Sequence, residues 1–215
     1  MDLSDVEAWI RMHADPVGPI ETAFERPWAT VLRVPLAGAH GVPDRRLAAL
    51  PALYGELLDL NLPLQRGEIR QLAQFASRFA ELCDDLAAYG VPETIQHDDL
   101  HHANLYVRDG SMRVLDWGDA SIAHPSASLV VTFRFLEERS GLAPGDPWFS
   151  RLRDAYLAPW NGDLRDAFAL ALRVGTFARP IAYIRQGAAI APETRSRFDE
   201  DFSIVLRRAV AQTLD

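Results

Sequence analysis

The run Gln96-His97-Asp98-Asp99-Leu100-His101-His102-Ala103-Asn104 sets a carboxamide five residues after a carboxylate. A further acid follows twelve residues later in Leu115-Asp116-Trp117-Gly118. Asp99, Asn104 and Asp116 together make a set of hard oxygen donors, the kind that binds magnesium alongside substrate phosphates. A carboxylate of the same cluster can take a proton from a hydroxyl nucleophile. His97 is read as a loop brace held by backbone hydrogen bonds rather than as a base. His101 and His102 stay open between solvated loop residues and supports of the site. Asp119 stays open between a loop cap and a group backing the ligands, and Trp117 is expected to pack beneath the loop of Asp116. Asp109, inside Arg108-Asp109-Gly110-Ser111, is read as a turn residue.

For this chemistry the loops must meet at one end of a small sheet. Thr94-Ile95-Gln96 and Leu105-Tyr106-Val107 read as short strands flanking the polar run, and Met112 to Leu115 pairs back on the second of them. Upstream, apolar spacing predicts a helix from Pro43 to Leu60 and a longer one from Gly67 to Tyr89, closed by Gly90. Downstream, helices are expected over 125–139, 147–158, 164–186 and 195–213, with Pro159 and Pro180 breaking or kinking them. At the N-terminus, Ser4 to Glu7 reads as a capping box before a short helix. Trp28 to Pro35 reads as a strand, with a partner around Ile20 to Phe24. The expected fold class is α+β: a mostly helical body, a small β-hairpin carrying the catalytic and metal loops, and a rudimentary N-terminal β segment.

Composition narrows the function classes. A net charge of -8 and a pI of about 5.2 exclude nucleic-acid binding through a basic face. Mean hydropathy of -0.08 argues against a membrane protein, and no apolar run approaches a spanning length of roughly 20 residues. The first fifteen residues lack the pattern of a signal peptide, and Cys83 is the only cysteine. A reducing cytoplasm is the expected location. All 22 basic residues are arginine; the chain contains no lysine.

The stretch from Thr94 to Ala120 resembles the aminoglycoside phosphotransferase and choline kinase-like family, whose signature reads H-G-D-L-H-x-x-N followed by I-D-W-x-x-A. The resemblance covers roughly residues 65–190. It implies a protein-kinase-like C-terminal lobe over 43–215 and a reduced nucleotide lobe over 1–42. It implies transfer of the γ-phosphate of ATP to a hydroxyl of a small molecule, with Mg2+ as cofactor. Asp99 would orient the acceptor hydroxyl as catalytic base. Asn104 and Asp116 would hold magnesium against the nucleotide. His97 would support the catalytic loop, and the helices after 125 would form the acceptor pocket.

The departures from the pattern matter as much. Where relatives continue G-D-P and then another acid, this chain reads Ala123-His124-Pro125 and then Ser128, so an acid that braces the catalytic loop is expected to be missing. Between Leu36 and Pro43 there is no glycine-rich phosphate loop and no strand bearing lysine. Arg33 is the only nearby candidate to replace that lysine, and guanidinium does not reproduce a compact ammonium. Two alternatives stand beside the kinase reading: a non-transferring relative that binds a ligand or partner, and a metal-dependent phosphohydrolase built on the His/Asp cluster. A reduced lobe would leave apolar surface beside the hairpin, which favours self-association.

Overall fold

The computed structural model describes residues 3–14, 16–26, 29–34, 42–108, 111–143, 145–188 and 192–214. It is a mixed α+β fold dominated by helices. The N-terminal part contains helix α1 (Leu3–Ala14) and an antiparallel pair, β1 (Glu21–Arg26) and β2 (Ala29–Arg33). The helix already includes Ser4, so this residue lies in its first turn instead of capping it. Trp28, Pro35, Gly38 and Gly41 fall outside the described residues, as does the side chain of Arg33.

The expected helix over 43–60 is corrected. Asp44 and Arg45 form a short strand, β3, and the helix α2 covers only Leu50–Leu58. The reason is local. The Asp44 carboxylate accepts from the Arg46 backbone N–H at 3.0 Å, a turn that competes with a helical start. The Pro43 carbonyl accepts from Ile122 N at 2.9 Å, which commits the backbone to a sheet. Pro51 then falls in the first turn of α2, where its missing N–H costs no helical bond.

Helix α3 (Arg66–Ala87) matches its expected span. Glu68 accepts from Gln65 N at 2.8 Å in a capping box, and Gly90 adopts φ 66 just beyond the C-terminus. Its buried residues Leu72, Phe75, Phe79, Leu82, Cys83 and Leu86 recur at three- and four-residue steps, so they share one face. That face meets α2 and helix α6 (Arg165–Ala188). The Phe75 and Phe177 rings stack at 4.6 Å, and the Tyr54 hydroxyl donates to Leu72 O at 3.1 Å. Fully burying side chains of this size stabilises the fold by about 2 kcal/mol each. Cys83 is packed here, and burial pushes its thiol up to about 12. Helices α4 (Val130–Arg139), α5 (Pro147–Leu157) and α7 (Arg195–Ala211) complete the body.

Pro180 lies inside α6 and does not end it. Residues Arg165–Ile184 of α6 are long and apolar enough to cross a membrane, contrary to the expectation that no such run exists. Half of that window is buried within the fold, as in a core helix. At Gly175 an added Cβ would meet Ala127 O at 2.2 Å. The α6 backbone therefore rests almost directly on the short 3-10 turn Ala127–Leu129. Arg179 follows one turn later on the same face of the helix.

Two small sheets frame the polar run instead of one. Strand β4 (Thr94–Gln96) pairs antiparallel with β7 (Ser121–Ala123), and β3 pairs parallel with β7. Among the described residues, strand β5 (Leu105–Arg108) pairs only with β6 (Ser111–Val114). The expectation that one hairpin carries both loops is corrected: the three-stranded sheet delivers the 97–100 loop, and the hairpin delivers Asn104 and Asp116. A 3-10 turn over His102–Asn104 redirects the chain between them.

Candidate active site

The site is built where β4 ends. His97 is buried and ties two loops together. Its Nε2 donates to Leu115 O at 2.7 Å, while Nδ1 accepts from Asp99 N at 3.3 Å. The pair of contacts places the ring proton on Nε2. The Trp117 ring lies 5.0 Å from the His97 ring, and its Nε1 donates to Val114 O at 3.2 Å. Backbone hydrogen bonds thus hold the His97 ring between the two loops, while Trp117 is 40% exposed, against the expectation that it packs beneath the loop of Asp116.

Asp98 has φ 60, a left-handed conformation that a non-glycine residue seldom adopts. Its carboxylate is buried between Arg45 Nη1, at 2.7 Å, and the Ser121 hydroxyl, which donates to it. Burial raises its pKa, and the charge of Arg45 together with the Ser121 hydrogen bond opposes the rise.

Asp99 is the next residue and only partly buried. Arg179 Nη2 reaches its Oδ1 at 3.1 Å, and the same guanidinium donates through Nη1 to Asp98 O at 2.9 Å. His101 Nε2 lies 3.4 Å from the other oxygen, Oδ2. Asn104 closes the loop: its Nδ2 donates to Asp99 O at 2.9 Å, and its backbone carbonyl accepts from Leu115 N at 2.9 Å. With the amide nitrogen committed, Asn104 Oδ1 remains as an oxygen donor.

Asp116 follows the other end of the hairpin. It too has φ 60; its carboxylate is exposed and caps no backbone N–H of the turn Trp117–Asp119. Gly118 leaves open the space beside it, where a Cβ would stand 3.4 Å from Asp116 Oδ1. The structure thus links Asp99, Asn104 and the Leu115–Asp116 junction through His97 and backbone hydrogen bonds. Asp119 ends the following 3-10 turn and is partly buried.

A family model described as the phosphotransferase enzyme family, APH, matches residues 28–170, more than half of the chain. The chain belongs to this family. Comparison with curated proteins and with solved structures gives no match.

Set beside the signature quoted above for phosphotransferases of this type, Asp98 occupies the glycine position of H-G-D. The backbone keeps the glycine-like conformation, and the side chain is accommodated by Arg45 from β3 and Ser121 from β7. The brace expected from a downstream acid is supplied differently. Arg179 from α6 holds the 98–99 backbone and carboxylate, and Thr132 from α4 donates to Leu100 O at 2.7 Å. Ser128, which follows where the signature's relatives carry an acid, donates to Gln96 Oε1 at 2.9 Å.

Arg45, Ser121, Thr132 and Arg179 hold the 98–100 loop of the candidate site, and sequence reasoning missed them. The only local signal was Asp98 itself, a charged side chain at a position that calls for glycine. Among the described residues, no group of three or more His, Cys, Asp or Glu could hold a metal ion.

Proposed function

We propose that this phosphotransferase-family chain transfers the γ-phosphate of ATP to a hydroxyl of a small molecule, using Mg2+. Residues 43–215 act as the acceptor lobe, and residues 1–42 are the nucleotide-side segment. The observation that carries the reading is Asn104. Its Nδ2 is spent on Asp99 O, which leaves Oδ1 as a candidate ligand beside the loop that carries the Asp99 carboxylate.

Asn104 Oδ1 and the exposed Asp116 carboxylate fit a hard cation by donor type and would hold magnesium. When bound, the ion neutralises and orients the phosphates of the nucleotide. Asp99 positions the acceptor hydroxyl and accepts its proton. His97 keeps the Asp99 and Asp116 loops in register through its contacts to Asp99 N and Leu115 O. His101 and Arg179 hold the two Asp99 oxygens in a fixed orientation. Asp119 backs the loop of Asp116. Catalysis here is mainly positioning, which by itself can be worth several powers of ten in rate.

One observation favours a second reading. No lysine exists in the 215 residues to anchor phosphate, so a relative that binds a ligand without transfer is the alternative. Calorimetric titration with ATP, with and without magnesium, decides between them. Magnesium-dependent binding that vanishes in Asp116→Ala, with turnover falling at least about a hundredfold in Asp99→Asn, is expected for the transferase. No nucleotide binding at millimolar concentration would overturn it in favour of the binding module.

A further inference from the structure

Around Arg179, helices α4, α6 and α7 bring three arginines, Arg134, Arg179 and Arg208, within reach of one another's charges. Arg179 of α6 is paired with Asp99, and Arg208 of α7 is paired with Glu138 of α4 at 2.6 Å. Among the described residues, Arg134 of α4 has no ion-pair partner. It is half-buried, its guanidinium lies 4.8 Å from the Phe135 ring centroid, and Phe135 in turn packs at 4.6 Å on His101 of the catalytic loop. Thr132, two residues earlier on α4, is bonded to Leu100 O in that loop. The charges of Arg134 and Arg179 lie close enough to act on each other, so Arg134 stands on the side of the fold from which Arg179 reaches Asp99.

Two features make this side look like one wall of a binding site. The Nε atoms of Arg134 and Arg179 are both buried with no hydrogen-bond partner among the described residues. A buried N–H of this kind is costly to leave unmade, and each such group calls for a partner. The Arg134 guanidinium is also held below the usual arginine range, first by burial and then by the like charges of Arg208 and Arg179; Glu138 only partly offsets these. A planar fork with excess positive charge matches a carboxylate or a phosphate, and it repels an ammonium.

We infer that the acceptor is an anionic hydroxy compound, whose carboxylate or phosphate sits on Arg134 and Arg179 while its hydroxyl meets Asp99. This rests on the phosphotransferase reading for the hydroxyl and on the arginine wall for the anion. It departs from what the net charge of -8 suggests, because the charge that selects a small ligand is the charge lining its pocket.

The test is calorimetry on the full chain with four hydroxyl-bearing probes: glycerol 3-phosphate, D-glycerate, choline and an aminoglycoside. At least one of the two anions is expected to bind, and their relative affinity tells phosphate from carboxylate. Both cations are expected to bind at least about tenfold more weakly. Arg134→Gln is expected to weaken anion binding about tenfold or more, the size of one lost charge-assisted hydrogen bond, and Arg134→Lys to restore part of it. Melting temperatures of both variants verify that they fold. Preferential binding of choline or the aminoglycoside, no binding of either anion, or unchanged anion binding in a folded Arg134→Gln protein would overturn the inference. The magnesium–ATP titration separates the two proposals. Anion binding without nucleotide binding retires the transferase and keeps the anion site. Nucleotide binding with transfer to a cationic acceptor does the reverse.

Discussion

Arg45 Nη1 lies 2.7 Å from Asp98 Oδ2, and both side chains are about nine-tenths buried. The pair joins strand β3 to the residue before the candidate base across 53 positions of sequence. Asp98 adopts a left-handed backbone that costs a non-glycine residue about 1–2 kcal/mol. The carboxylate is stabilised there only by partners that reach it in the folded state.

Removing one partner should therefore cost more than removing both. Arg45→Met leaves the Asp98 carboxylate buried with Ser121 and is expected to destabilise the fold by about 3 kcal/mol. Arg45→Met combined with Asp98→Gly removes the stranded charge and the backbone strain, so the double variant should be more stable than Arg45→Met alone. Urea melts of the four proteins in a double-mutant cycle measure the coupling. Effects that add to within about 0.5 kcal/mol would show that the two residues do not depend on each other.

His97 makes a separate prediction, because its ring serves two loops at once. His97→Ala loses the bond to Leu115 O and the one from Asp99 N. A stability loss of about 1–3 kcal/mol is expected. Hydrogen exchange should quicken both in 97–104 and in 111–119. If only the first segment responds, the ring is not what couples the 97–104 loop to Asp116.

The extent to which this site was legible in the sequence follows from the range of the forces involved. His97, Asp99, Asn104 and Asp116 could be picked out because residue type and spacing along one stretch define them, and the strands at Thr94 and Leu105 because β-branched runs flank turns. The long helix α3 showed itself through a regular apolar stripe. Arg45 and Arg179 could not be read this way. Each reaches the 98–99 loop from more than 50 residues away, and an arginine on a helix or a short strand looks like solvated surface until the partner is in place. The strand β7 was missed for a related reason: three residues carry too little pattern, and pairing with β4 and β3 is what makes them a strand.

Gly175 gives a prediction whose sign opposes helix propensity. Replacing a mid-helix glycine by alanine ordinarily stabilises by about 1 kcal/mol, and Gly55 in α2, with open space around it, should follow that rule. At Gly175 the new methyl would sit 2.2 Å from the Ala127 carbonyl oxygen, a backbone atom that no side-chain rotation can move. Gly175→Ala should lose about 1–3 kcal/mol as α6 is forced away. Thermal melts of the two variants should shift in opposite directions. An upward shift in both would mean that α6 and the 127–129 turn stand further apart than described.

His124 sets the response to acid. The ring is buried against a cavity of ≈ 30 Å³ whose lining also includes Arg45, Asp98 and Arg179. Its Nδ1 accepts from Ser126 N at 3.2 Å, and its Nε2 has no partner. Burial lowers its pKa from 6.5 to about 4. Between those values the unfolded chain binds a proton that the folded chain does not, so stability rises with pH across the window and is lost as pH falls from 6.5 towards 4. The full effect is about 3 kcal/mol. Asp98, with its pKa raised, contributes with the opposite sign, but it does so in the wild type and in a His124 variant alike. His124→Asn keeps an acceptor for Ser126 N and removes the titration. Urea melts of the two proteins between pH 7 and pH 4 should converge by about 3 kcal/mol as the wild type loses its advantage. Stability curves that stay parallel over that range would mean that the folded His124 titrates like an exposed ring.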